Sequence, residues 1–298
     1  MNPAADDLDG GILARLCAGR RLARQGLWLR AARSTQDEAR RLARVHGAGV
    51  LVVADTQTLG RGRLGRTWWS PPGSGLWLSL VLAPARPRAE WPFLSALAAL
   101  ALREALGTSA GIECGIKWPN DLLARGRKIA GILAEAGAEP WLVLGVGVNV
   151  TQGPEDFPEA LRDWSTSMRI ECGRTVPEGG AGRASATAPI DRAAVLAAFL
   201  GAIDRWMARF ETDGPSSSLD ELRRASLLLG REVEIAPAPD APVLRGRVCD
   251  LGPCGELVLE PARESGGGQR VMVSGGEVLG IRPPLMETRA RADRTARA

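Results

Sequence analysis

Apolar positions along this 298-residue chain fall into two textures. Up to about residue 229, stretches with three-to-four-residue spacing alternate with short continuous apolar runs. Beyond Arg231 only short runs remain, parted by proline and glycine. Ile12, Leu13, Leu16 and Leu22 predict a helix over 11–25, followed by a strand at 27–30. Ser34, with Asp37 and Glu38 just after it, is a helix cap with acids in the first turn, and this helix runs to about His46. Segments 50–54 and 76–81 read as buried strands, and 91–106, apolar on most faces, as a central helix. Three strands follow at 112–117, 128–135 and 141–149, the first two separated by the turn-rich stretch WPNDLLARGR.

Residues 173–189 are small and glycine-bearing, an exposed and mobile insertion by composition. A helix over 191–211 carries Val195, Phe199, Ile203, Trp206 and Phe210 on one stripe, and a second helix runs to about Leu229. Strands at 232–236, 243–249, 256–260 and 270–274 have the texture of a small β-barrel. The expected fold is therefore α+β: a mixed sheet with helices on one face, plus a C-terminal barrel. The divisions are 1–33 (extension, first helix and strand), 34–229 (main domain), 230–284 (barrel) and 285–298, an arginine-bearing tail expected to be disordered.

Composition narrows the function. Apolar residues make up 45% of the chain, enough to core two domains, and the longest apolar runs fall short of the roughly 20 residues that a membrane crossing needs. Asp6, Asp7 and Asp9 stand where a targeting segment would be basic and then apolar, so the expected location is the cytoplasm, without a membrane partner. A net charge of +4 does not by itself call for a polyanion. Five cysteines without a CxxC pair, and a single histidine, His46, give no expected metal site, disulfide framework or histidine catalysis. Of 38 basic residues only Lys117 and Lys128 are lysine. Where charge alone matters, arginine substitutes. A compact ammonium at a tight anion site is not replaceable in that way, which singles out these two.

Three segments carry candidate chemistry. GRGRLGRTWWS, residues 60–70, contains a literal GxGxxG, but Trp68, Trp69, Pro71 and Pro72 forbid the helix that a dinucleotide fingerprint needs at its third glycine. No phosphate loop of the Gly-Lys-Ser/Thr kind occurs either. Instead Arg61, Arg63 and Arg66 offer three guanidinium forks for a carboxylate or polyphosphate, although a basic loop contacting RNA would look alike. In KWPNDLLARGRKIAGILAE, Lys117 to Glu135, Trp118-Pro119 stiffens the chain beside Asn120 and Asp121, and Gly131 allows close approach of a ligand to the backbone. GVGVNV ends an apolar strand with Asn149, and Trp77 in GLWLSL reads as a pocket wall or core residue.

Taken in order, GRGRLGRTWWS, GLWLS, KWPND, RKIAGIL and GVGVN resemble the biotin protein ligases, over about Ser34 to Leu229. The resemblance implies a class II synthetase-like (biotin/lipoate ligase) mixed-sheet domain followed by a small Src-homology-3-like barrel. It implies an enzyme that joins biotin to AMP from MgATP, giving biotinyl-5'-AMP, and passes biotin to one lysine of a biotin carboxyl carrier protein. By resemblance Ser34, Thr35, Gln36 and Gln57 meet the ureido head of biotin, and Trp68, Trp77, Gly131 and Leu133 enclose its apolar part. Gly60, Arg61, Gly62 and Arg63 form the loop over the adenylate, and Lys128 bridges the carboxylate and α-phosphate. Arg66, Lys117, Asn120 and Asn149 belong to the nucleotide side, and Asp121 receives the carrier lysine. Lys128, Arg63 and Asp121 are thus the catalytic candidates, with no resident metal. Gln36 stands where the family usually has asparagine, and Leu64 where some members add an arginine. The stretch before Ser34 is short for a DNA-binding domain, so no DNA partner is expected, and the protein would be a monomer or homodimer. Lipoate or octanoate ligases and transferases, and a nucleic-acid-binding module, are the alternatives.

Overall fold

The computed structural model describes residues 8–173, 190–238, 240–261 and 269–282. The expected insertion beyond Gly173, the tail from 285 and the acidic start before Leu8 lie outside the described residues. The first part builds α1 (Gly10–Cys17), β1 (Gln25–Leu29), α2 (Thr35–His46), β2 (Val50–Ala54), β3 (Gly75–Leu82) and α3 (Leu94–Ala110). β4 (Gly115–Lys117), β5 (Asp121–Ala124), β6 (Arg127–Ala136) and β7 (Leu142–Asn149) follow. The helices α4 (Glu159–Arg162), α5 (Met168–Gly173), α6 (Arg192–Asp213) and α7 (Leu219–Ala225) come next. The last part holds β8 (Glu232–Ala236), β9 (Leu244–Leu251), β10 (Leu257–Pro261), β11 (Val271–Val273) and β12 (Glu277–Arg282).

Seven strands form one mixed sheet in the order β1-β2-β3-β7-β6-β5-β4. Only β1 and β2 run parallel; the other pairs are antiparallel. β2 and β3 are buried at every position, because helices cover both faces of the sheet rather than the one face expected. Leu51, Val53, Leu78, Leu80, Leu144 and Val146 face α1, α3 and α6 in the main core. Alternate residues Val52, Val81 and Val143 face Ala39 and Ala43 of α2. α2 spans only part of that second face. Beyond its N-terminus Gly131, Gly145 and Gly147 leave the sheet bare of side chains, and the cavity lies there.

Several boundaries moved for local reasons. α1 stops at Cys17, since Gly19 takes φ 72° and ends the helical path well before residue 25. The central helix opens as a 3-10 turn, Arg88–Phe93, around Pro92, and closes on left-handed Gly111. Together this segment, 88–110, reaches a mean hydropathy of 1.2 over a membrane-spanning length, which the sequence reading did not anticipate. Leu94, Leu97, Leu102 and Leu106 bury it in the core. Within WPNDLLARGR the chain forms β5 and a two-residue hairpin turn, with Arg125 at φ 49° and Gly126 at φ 80°.

The C-terminal unit is a five-stranded antiparallel sheet in the order β11-β10-β9-β8-β12, one strand more than its four apolar runs suggested. Its interior residues Val233, Ile235, Val248 and Leu257 join the main core through Leu222 and Leu228. Trp118 reaches across and donates from Nε1 to the Gly255 carbonyl at 3.1 Å.

Candidate active site

The cavity, about 310 Å³, opens where α2 begins. Its walls are the start of α2, the 57–70 loop, the β5–β6 hairpin, the end of β7, the 157–165 segment and the turn into β12. Ser34 caps α2 by accepting from Gln36 N, and Thr35 donates from both N and Oγ1 to Gln57 Oε1, at 2.8 and 3.1 Å. Ser79 donates to Thr35 Oγ1 at 2.9 Å, and Gln57 Nε2 donates to Ser70 Oγ at 2.9 Å. This chain of neutral donors and acceptors fixes the polar end of the cavity before any ligand arrives. The first N–H groups of α2 are spent within it, so that end suits an uncharged polar group rather than an anion.

The floor is apolar. Trp68 lies flat on the glycine-paved strands: a Cβ added at Gly147 would stand 2.6 Å from its indole, and one at Gly131 2.7 Å. Trp77, fully buried beside it on the same face, meets Trp68 edge to face with ring centroids 6.3 Å apart. Three buried polar atoms here, Gln36 Oε1, Trp68 Nε1 and Trp77 Nε1, have no hydrogen-bond partner among the described residues. Gln36 Nε2, by contrast, donates to the Leu133 carbonyl at 3.1 Å and to Glu135 Oε2 at 3.2 Å.

The other end is cationic. Lys128 Nζ stands 5.0 Å above the Trp68 ring and 2.7 Å from Asp121 Oδ1. Arg63 donates to Asn120 Oδ1 at 3.3 Å and to the Gly276 carbonyl at 3.0 Å. Burial pushes its guanidinium below the ordinary arginine value, while Asp121 and Glu277 pull it back up. Arg66 pairs with Glu277, and Arg61 reaches Asp37 at 2.8 Å and Glu135 at 2.9 Å. The arginine loop is therefore tied down at both ends by carboxylates that an incoming anion would have to replace. Leu64, at φ 55° and exposed, sits at its tip in a left-handed conformation that a branched side chain rarely adopts.

The cavity gathers Ser34, Thr35, Gln36, Gln57, Arg61, Gly62, Arg63, Arg66, Trp68, Lys117, Asn120, Asp121, Lys128, Gly131, Leu133 and Asn149 from the candidate set. Gly60 and Trp77 do not line it. Gly60 is the point where a Cβ would strike the Trp68 carbonyl at 2.4 Å, so it lets the loop fold back, and Trp77 supports Trp68 from the side. Sequence reasoning missed Phe157, Leu161 and Ser165, as well as Glu277 and Val278, which also line the cavity. Phe157 packs against Trp69 with centroids 5.9 Å apart. No periodicity or motif marks these residues, and Glu277 joins the site only because the C-terminal sheet folds against it.

A glycine-paved apolar slot closed by a neutral polar network at one end and by ammonium and guanidinium groups at the other has the chemistry that suits a ligand with an uncharged polar head and an anionic tail. Residues 29–149 match the Biotin/lipoate A/B protein ligase family. The biotin--[acetyl-CoA-carboxylase] ligase of Mycobacterium tuberculosis is 35% identical over 78% of this chain and 80% of its own. The chain belongs to this family of biotin protein ligases. The bifunctional ligase/repressor BirA of Bacillus subtilis is 45% identical over 49% of this chain, a match spanning 47% of that longer protein. The Aquifex aeolicus biotin protein ligase in complex with biotin and ATP aligns with a TM-score of 0.70 and 27% identity, covering 87% of this chain and 98% of its own.

Proposed function

We propose that this protein is an ATP-dependent biotin–[biotin carboxyl-carrier protein] ligase. The biotin carboxylate attacks the α-phosphate of ATP, pyrophosphate leaves, and the biotinyl-5'-AMP so formed acylates one carrier lysine, releasing AMP and a proton. The observation that carries this reading is the slot itself, with Trp68 on bare glycines between the Thr35–Gln57 network and Lys128. Such a slot holds a neutral ureido head at one end and delivers a carboxylate to the cations at the other.

In this reading Ser34, Thr35, Gln36 and Gln57 hold the head, and Trp68, Gly131 and Leu133 enclose the ring and chain. Lys128 sits where carboxylate and α-phosphate meet, supplying positive charge as the pentacovalent phosphorus develops. Arg61 and Arg66 exchange their carboxylate partners for phosphate, and Arg63 its Asn120 and Gly276 oxygens, folding the loop over the adenylate and shielding the mixed anhydride from water. Lys117, Asn120 and Asn149 line the nucleotide side. Asp121 receives the proton of the incoming lysine once Lys128 has turned to the ligand. Among the described residues no three His, Cys, Asp or Glu side chains cluster as a metal site. The carboxylates lining the cavity, Asp121 and Glu277, suit magnesium brought in on the triphosphate. The cytoplasm is the compartment that supplies both ATP and the carrier.

Biotin-dependent exchange of labelled pyrophosphate into ATP by pure protein with magnesium tests the first half-reaction, and its absence removes the proposal. Competition between biotin and lipoate for thermal stabilisation separates it from the lipoate reading.

A further inference from the structure

Behind the cavity wall lies a buried polar network that no step above uses. Glu171 of α5 is 3% exposed, yet it lies 3.4 Å from each of Arg125 and Arg127, which come from the β5–β6 turn and the first residue of β6. It also accepts a hydrogen bond from Thr166 Oγ1, and Thr166 is fully buried. A buried carboxylate is costly to desolvate unless it is well paired, and Arg125, Arg127 and Thr166 pair this one.

From Thr166 the network continues through the main chain. Its N–H donates to the Lys128 carbonyl at 2.9 Å, and its own carbonyl accepts from Asn149 Nδ2 at 3.0 Å. The Lys128 N–H in turn donates to the Trp164 carbonyl at 2.7 Å. One residue thus grips two cavity residues from two different strands, β6 and β7. Its hydroxyl ties that grip to Glu171, and Glu171 ties it to the turn that begins Lys128's own strand. Ser167 adds a second brace, donating to the Gln152 carbonyl and capping α5 by accepting from Ile170 N at 3.2 Å.

We infer that Thr166 and Glu171 are positioning residues for adenylate formation: they hold Lys128 and Asn149 in register across the cavity without touching substrate. The inference rests on the ligase reading above. It separates the two ends of the slot, because among the described residues the Thr35–Gln57 network shares no hydrogen bond with this clamp.

The test compares Thr166→Val, Thr166→Ser and Glu171→Gln with the unsubstituted protein, each at a temperature where melting curves show it folded. Thr166→Val keeps the shape and removes the hydroxyl. It is expected to lower kcat of biotin-dependent pyrophosphate exchange about tenfold to a hundredfold, the scale of a small misplacement of a reacting group, with the KM for biotin unchanged. Thr166→Ser restores most of that rate, and Glu171→Gln falls on the side of Val. Amide hydrogen exchange at Lys128, followed in the same proteins, is expected to quicken in Val and Gln but not in Ser. A Thr166→Val protein with unaltered kcat and unaltered Lys128 protection overturns the inference, as does a rate loss of equal size in the serine variant. Should the unsubstituted protein show no biotin-dependent exchange, the ligase reading fails, while the amide measurement still decides the clamp.

Discussion

Lys128 and Asp121 form an ion pair at 2.7 Å between neighbouring strands, inside the cavity and above the Trp68 ring. The pair defines a resting arrangement in which the ammonium is neutralised by a carboxylate of the protein, so an anionic ligand competes with Asp121 for it. Lys128→Ala is expected to slow pyrophosphate exchange by about 10² to 10³, the usual size for removing one donor to developing charge. Full activity in that variant would mean that the site lies elsewhere.

Asp121→Asn separates the half-reactions. Exchange should persist within severalfold, whereas transfer of biotin to a carrier lysine should slow by about 10², the scale of a lost general base. Equal losses in both steps would limit Asp121 to orienting Lys128.

Gly147 is a test of the floor. A methyl group there would stand 2.6 Å from the Trp68 indole, with Trp77 against the ring's side, so the ring has to lift into the slot. Gly147→Ala should weaken biotin binding about fivefold to a hundredfold by calorimetry, as overpacking costs ~1–3 kcal/mol.

The C-terminal sheet enters the site through Gly276 and Glu277, which hold Arg63 and Arg66. Because the Arg66–Glu277 pair is largely exposed, Glu277→Gln should change stability by less than about 1 kcal/mol. It should nevertheless raise the KM for ATP severalfold, since the loop loses an anchor, and leave biotin affinity as it was.

Cys114 offers a pH test of the core beneath β4. Burial pushes its thiol up from 9.0 to about 12, so the folded chain keeps the neutral form after the unfolded chain has ionised. Its contribution is intact below pH 9 and is lost as the pH rises toward 12. The stability advantage of the parent over Cys114→Ala should shrink across that window, by at most about 1.4 kcal/mol per pH unit. Denaturant unfolding at pH 8 and pH 10 measures it, and a constant difference would contradict it.

Much of this was legible along the chain. The cap at Ser34, the strand at 50–54, the two spared lysines and the order of the five motifs are local facts: a hydroxyl finds the nearest N–H groups, and an apolar run finds the core. Apolar residues at every position of β2, and at all but Gly75 and Ser79 of β3, already required cover on both faces, a reading that the sequence carried but the one-face expectation passed over. β12 and β5 escaped because short strands among turn residues have no period of their own.

What the order of residues determined by itself is the set of groups and the elements that bear them: cations at 61, 63, 66, 117 and 128, amides at 36, 57, 120 and 149, and glycines where backbone must lie bare. Tertiary structure alone decided that Arg61 rests on Asp37 and Glu135, that Glu277 joins from the far end of the chain, and that Thr166 ties Lys128 to Asn149. Those contacts link residues as much as 211 positions apart, as Arg66 and Glu277 are. Periodicity and capping act within a few residues, so only the packing of the two sheets brings such groups within bonding distance.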